Sequence, residues 1–213
     1  MKTFLLPLVG TLGLVVTGCA ASPPGPAGLA PQAAHWRTVA TGNDRRRLRQ
    51  WRTAWVEALA KASAAGRNAE IAGEGVLLEP DAALAFEAPP TGDYRCRTVK
   101  LGAKSAGLLD FIAYPWFACR ISARGAMLRL EKHSGSQRPV GQLFADPGKR
   151  MIFLGTLVLG DEQRPLDYSF DRDRDMAGIL ERIGDRRWRL VLPYPAFEST
   201  IDVIELVPGG APS

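Results

Sequence analysis

Sulfur and imidazole are scarce: the 213-residue chain holds three cysteines, Cys19, Cys96 and Cys119, and two histidines, His35 and His133. That inventory excludes a disulfide-dense mini-scaffold and a thiolate-rich zinc site. A Ser/His/Asp triad would have to use His133 or His35, and His35 adjoins a flexible tether, so histidine-driven hydrolysis is not expected. The cysteines lack the Cys-x-x-Cys spacing of a redox pair. The composition, 46% hydrophobic and 23% charged, is that of an ordinary globular domain and excludes pervasive disorder and a multi-span membrane protein.

The opening is the strongest signal present. Lys2 gives a positive start, 4–16 is an uncharged apolar stretch, and Val16-Thr17-Gly18-Cys19 closes it with small residues before a cysteine. The stretch falls short of the roughly 20 residues that span a bilayer. Residues 1–18 therefore read as a lipoprotein signal peptide, with Cys19 as the site of lipidation. Ala20 rather than Asp follows it, which points to the periplasmic face of the outer membrane. Residues 19–34 are rich in Pro, Ala and Gly and form a tether that cannot bury a core. With Cys19 acylated, Cys96 and Cys119 remain as an even pair in an oxidising compartment, and a disulfide is expected.

Residues 35–91 read as a helical region. Leu48, Trp51, Trp55, Ala58, Leu59 and Ala62 recur at steps of three and four, predicting an amphipathic helix over 44–64 capped by Asn43 or Asp44 and stopped by Gly66. Arg45, Arg46, Arg49 and Arg52, with Arg47, make its other face basic. That face is a candidate contact for anionic lipid, weighed against a solvated surface. A second short helical piece is expected at 69–72.

From 92 to 208 the period becomes two, ahead of a tail at 209–213. Candidate strands are 93–101, 112–122 with Pro115 forcing an edge or bulge, 126–132, 139–145, 150–159, 167–172, 176–183, 186–192 and 200–207. Short strands without intervening helices predict a mainly β, α+β protein: an antiparallel meander closed or nearly closed into a small barrel and covered by the helix, with a β-sandwich as the alternative. Strand 150–159 is apolar on both faces, so one face needs that cover.

Candidate functional residues are few. A two-residue turn at Gly184-Asp185 would set Glu181 opposite Trp188 on the apolar face, as a ligand or acid/base group or as half of an internal ion pair with an arginine such as Arg138. A three-residue loop would put Arg182 there instead. Gly135-Ser136-Gln137-Arg138, following Lys132 and His133, offers donors to an anion but matches no phosphate-loop template and reads as a turn. Glu181, Trp188, Arg138 and Gln137 are the candidate ligand or partner site. Asp171, Asp173 and Asp175 fail the calcium-loop template at Met176 and Arg182. No catalytic residue, metal or cofactor is assigned. A net charge of +5 suits nucleic acid, but export removes that partner.

Gly92-Asp93-Tyr94-Arg95-Cys96-Arg97, Cys119-Arg120, Gly135-Ser136-Gln137-Arg138-Pro139, Phe153-Leu154-Gly155, the 174–182 segment, Arg187-Trp188-Arg189-Leu190 and the 198–206 segment together resemble an uncharacterised domain-of-unknown-function family of alphaproteobacterial envelope lipoproteins, over about Trp36 to Pro208. The resemblance implies no activity. More faintly, the lipobox, single disulfide and Gly92-x-Tyr94 are similar to lipocalin-like and metalloprotease-inhibitor barrels, with tyrosine where those inhibitors usually carry tryptophan. The expected function is a non-enzymatic binding or interaction module, tethered to the membrane and engaging a small ligand or an envelope protein. The alternatives are a protease-inhibitor-like barrel, or a hydrolase using Glu181, Asp175 or Glu198 on envelope glycans.

Overall fold

The computed structural model describes Met1 and residues 35–146, 148 and 150–209. The expected signal peptide beyond Met1, the expected lipidation site Cys19, the expected tether and all but the first residue of the tail lie outside the described residues.

Nine strands form one antiparallel sheet: β1 (Gly92–Ala103), β2 (Phe111–Ala113), β3 (Phe117–Arg124), β4 (Met127–Lys132), β5 (Gln137–Asp146), β6 (Arg150–Leu159), β7 (Asp175–Gly184), β8 (Arg187–Pro193) and β9 (Ser199–Pro208). Pairing of β1 with β9 closes the sheet into a barrel, with β2 as an extra strand on β1. Both β2 and β3 pair with β1, on its second and first halves. They are one strand of the sequence pattern broken around Pro115, which cannot donate to the ladder. The 167–172 stretch is not a strand. Asp171 accepts from Asp173 N through its carboxylate and from Arg174 N and Asp175 N through its carbonyl, so local turns outcompete the sheet.

Period two fills the barrel. Tyr94, Cys96, Cys119, Ile121, Leu130, Leu143, Phe153, Leu180, Trp188, Leu190 and Leu206 pack inside. Cys96 and Cys119, on neighbouring β1 and β3, form the expected disulfide with Cα atoms 5.9 Å apart. It closes a loop spanning a sequence separation of 23, worth about 3 kcal/mol in the chain-entropy model. The Cys96→Ala/Cys119→Ala double variant should lower the urea unfolding free energy by about that amount and steepen the slope, because the uncrosslinked unfolded chain exposes more surface.

Among the described residues four helices precede the barrel: α1 (Trp36–Val39), α2 (Gly42–Arg49), α3 (Trp51–Ala64) and α4 (Asn68–Glu74), followed by a 3-10 turn at Gly75–Leu77. The single helix expected over 44–64 is thus two, broken at Gln50, whose N–H is shared between Arg46 O and Arg47 O. A curved barrel explains the break. Leu48 of α2 packs with Trp36 and Ala40 on the outer faces of β5, β6 and β7 through Phe144, Ile152, Leu154, Ala177 and Ile179. Trp55, Ala58 and Ala62 of α3 cover Val99, Leu101, Val191, Ile201 and Val203 of β1, β8 and β9. One straight rod cannot follow both surfaces. Thr41, not Asn43 or Asp44, caps α2: its hydroxyl accepts from Asp44 N and donates to the Asp44 carboxylate, while its own N–H donates to Tyr168 Oη instead of closing a capping box.

Candidate functional site

The two halves of the barrel interior differ. The half near the start of β1 is filled, and the 84–91 segment plugs it: Phe86 packs on the core, Trp188 Nε1 donates to Glu87 O at 2.8 Å, and Tyr94 Oη donates to Pro90 O at 2.7 Å. Burial pushes the Tyr94 hydroxyl up to about 12. The opposite half, ringed by the turns after β4, β6 and β8, keeps a cavity of about 110 Å3. Its apolar wall is Phe117, Leu157, Met176, Leu192 and Ile204.

Two buried lysines face each other's side of this cavity. Lys100 on β1 sits directly opposite Asp202 on β9; its Nζ donates to Asp202 Oδ2 at 2.8 Å and lies 3.3 Å from Glu198 Oε2. Burial lowers its pKa, but the two carboxylates outweigh that and the net shift is upward. Lys132, the last residue of β4, shares the inward parity of Leu130. Its Nζ donates to Gln137 O at 2.9 Å and lies 3.9 Å from the centre of the Phe117 ring. Burial, with Arg138 and Lys100 adding repulsion, pulls the Lys132 ammonium down to about 8. Asp173 and Asp175 stand at the rim. Burial raises Asp175, which accepts from Ser169 N while Arg47 holds its main-chain oxygen.

The candidate ligand residues do not converge. Gln137 reaches the cavity, and its carbonyl holds Lys132. Trp188 lies in the filled half. Arg138 ties the mouth turns together from outside by donating to Gly135 O, Gly160 O and Glu162 O. Glu181 is on the outer face, not the interior. The turn at residues 185–186 carries Arg186 at φ 55, a bulge between Arg182 and Gly184 shifts the register, and Glu181 pairs with Arg189 while Arg182 opposes Trp188. The ion-pair expectation holds in kind, with Arg189 rather than Arg138 as partner: Arg189 Nη2 and Nε donate to Glu181 Oε2 at 2.8 and 3.0 Å.

The basic helical face is also divided. Arg45 turns back to Arg37 O and Ala40 O, Arg47 is buried against Asp44, and Arg52 pairs with Asp81. Arg46, bonded to Asn43, and Arg49 remain exposed. Sequence reasoning missed Lys100 and Asp202, and it read Lys132 only as the approach to a turn. The signal was their inward parity within otherwise apolar strands.

Comparison with known proteins gives one match: residues 36–206 fit the family described as Domain of unknown function (DUF4893). No curated protein and no solved structure matches the chain.

Proposed function

The chain belongs to the DUF4893 family, a domain of unknown function, and we propose that it acts as a non-enzymatic module that binds a small ligand in its barrel mouth while held at the outer membrane through lipidated Cys19. The observation that carries this reading is the unfilled half of a closed barrel, a cavity of about 110 Å3 with an apolar wall and two buried lysines. Eight-stranded barrels are just wide enough to be filled by side chains or to hold one small ligand, and here one end does each. A largely apolar pocket with a few convergent polar groups is the usual form of a small-molecule site.

Hydrolysis of a glycan is the weaker reading. Glu181 lies on the other side of the barrel wall from Glu198, and the Glu198 and Asp202 carboxylates both reach the Lys100 ammonium. A cation occupies the space between them that a sugar carbon or a water would need.

The test is native mass spectrometry of the full chain released gently from its own envelopes, beside a Met176→Trp variant that fills the cavity. A small molecule present in the parent and absent from the variant supports binding. The absence of both a co-purifying mass and any uptake of added benzene, read by NMR at the Met176 methyl, would overturn it. The anchor is tested separately: Cys19→Ala should move the chain from the membrane to the soluble fraction.

A further inference from the structure

Among the described residues the buried cations are Arg47, Lys100, Lys132 and Arg189. Three have a carboxylate: Asp44 for Arg47, Asp202 and Glu198 for Lys100, and Glu181 for Arg189. Lys132, 7% exposed, has none; one main-chain oxygen takes one of its three N–H donors, and an aromatic face lies beside it. A buried cation without an anion is costly. Nothing in the local chain removes the cost, because the β4–β5 turn is already pressed against the amine: a Cβ at Gly135 would stand 2.8 Å from Lys132 Nζ. The remaining donors belong to a side chain that lines the cavity.

Resting on the binding-module reading, we propose that the ligand of the barrel mouth is a small organic acid whose anionic head pairs with Lys132 and whose apolar body lies against Phe117, Leu157 and Met176. Lys100 is saturated by its own carboxylates, so the acid has one head-group partner. A cavity of about 110 Å3 is smaller than the engineered apolar cavity of about 150 Å3 that holds benzene, so the ligand is no larger than a short chain or one ring that extends toward the mouth.

The charged groups around Lys132 are Arg138 on the neighbouring strand, Lys100, Asp202 and Glu198 across the cavity, and Asp173 and Asp175 at the rim. A carboxylate probe stays ionised above about pH 6, so the titrating partner is Lys132. It is protonated below about 8 in the empty protein. Affinity should be level from pH 6 to about 7.5 and fall toward tenfold per unit above about 8.

Calorimetry of the full chain with benzoate and its neutral analogue benzyl alcohol tests this. Benzoate should bind at least about tenfold tighter, the scale of a charge-assisted hydrogen bond, and both the preference and the pH dependence should vanish in Lys132→Met. That variant removes a buried cation and should fold at least as well as the parent; Lys132→Gln serves as a second variant. Equal affinity for the two probes with no effect at Lys132, or uptake of benzene without benzoate, overturns the acid and leaves the binding module standing. Failure of benzene as well removes both.

Discussion

Arg189→Ala should cost about 3–5 kcal/mol, the range for leaving a buried charge without its partner. Arg189 is wholly buried at 0% exposure and stacks 4.6 Å from the Trp55 ring centre. It donates to the main-chain oxygens of Val76, Leu77, Glu79 and Pro80 as well as to Glu181. One planar guanidinium therefore fastens the 76–80 segment to the barrel wall, and alanine takes the Arg189 donors from Val76 O, Leu77 O, Pro80 O and a 5% exposed Glu181, leaving Glu79 O with Ala82 N. Arg189→Lys should recover less than half, because three donors on one point cannot span the arc that the guanidinium fork reaches. Removing both charges in Glu181→Leu/Arg189→Met should recover more than half of the loss. Denaturant unfolding reads the energies, and hydrogen exchange at 76–91 should rise first, because the clamp anchors the segment that leads into the barrel plug. A loss under about 1 kcal/mol for the alanine variant would remove the clamp from the account.

How much of this was legible depends on the range over which each interaction acts. The barrel followed from successive short strands of period two without intervening helices, and the disulfide from counting sulfurs, because both are written in short stretches of chain. Glu181 was placed on the wrong face because one bulge at Ile183 shifts the register, and a slip of one residue exchanges the faces of a strand. The alternative with Arg182 opposite Trp188 was visible; choosing between the two needed the turn conformation at Arg186. The pairing of Lys100 with Asp202 needed barrel closure between strands about a hundred residues apart, which local periodicity does not encode. The break at Gln50 reflects the curvature of the surface beneath the helices, a tertiary fact. At 167–172, expected as a strand, Phe170 is exposed and the Asp171 turns decide the backbone.

Gly155→Ala should destabilise the barrel by about 3 kcal/mol, near the upper end of the usual overpacking cost. Gly155 on β6 faces Gly141 on β5 in register, with the Phe153 ring beside both. A Cβ at 155 would meet Val140 O, stand 2.6 Å from Gly141 Cα and 2.9 Å from the Phe153 ring. Two of those three atoms are backbone of a paired strand and cannot turn aside as a flexible side chain would. The methyl must push β5 from β6 or force Phe153 out of the filled half of the barrel. Either movement reaches the cavity, since Pro139 and Leu157, two residues beyond the glycines on the same face, form part of its wall. For a chain of this size the expected fall in Tm is about 6–12 °C. Gly141→Ala, whose Cβ would meet Leu154 O and stand 2.6 Å from Gly155 Cα, should cost a similar amount. Because both methyls would press on the same strand contact, the double variant should lose less than the two single losses together. Additive losses would mean that the strands relax independently around each methyl, and the paired glycines would not be a shared point of close approach.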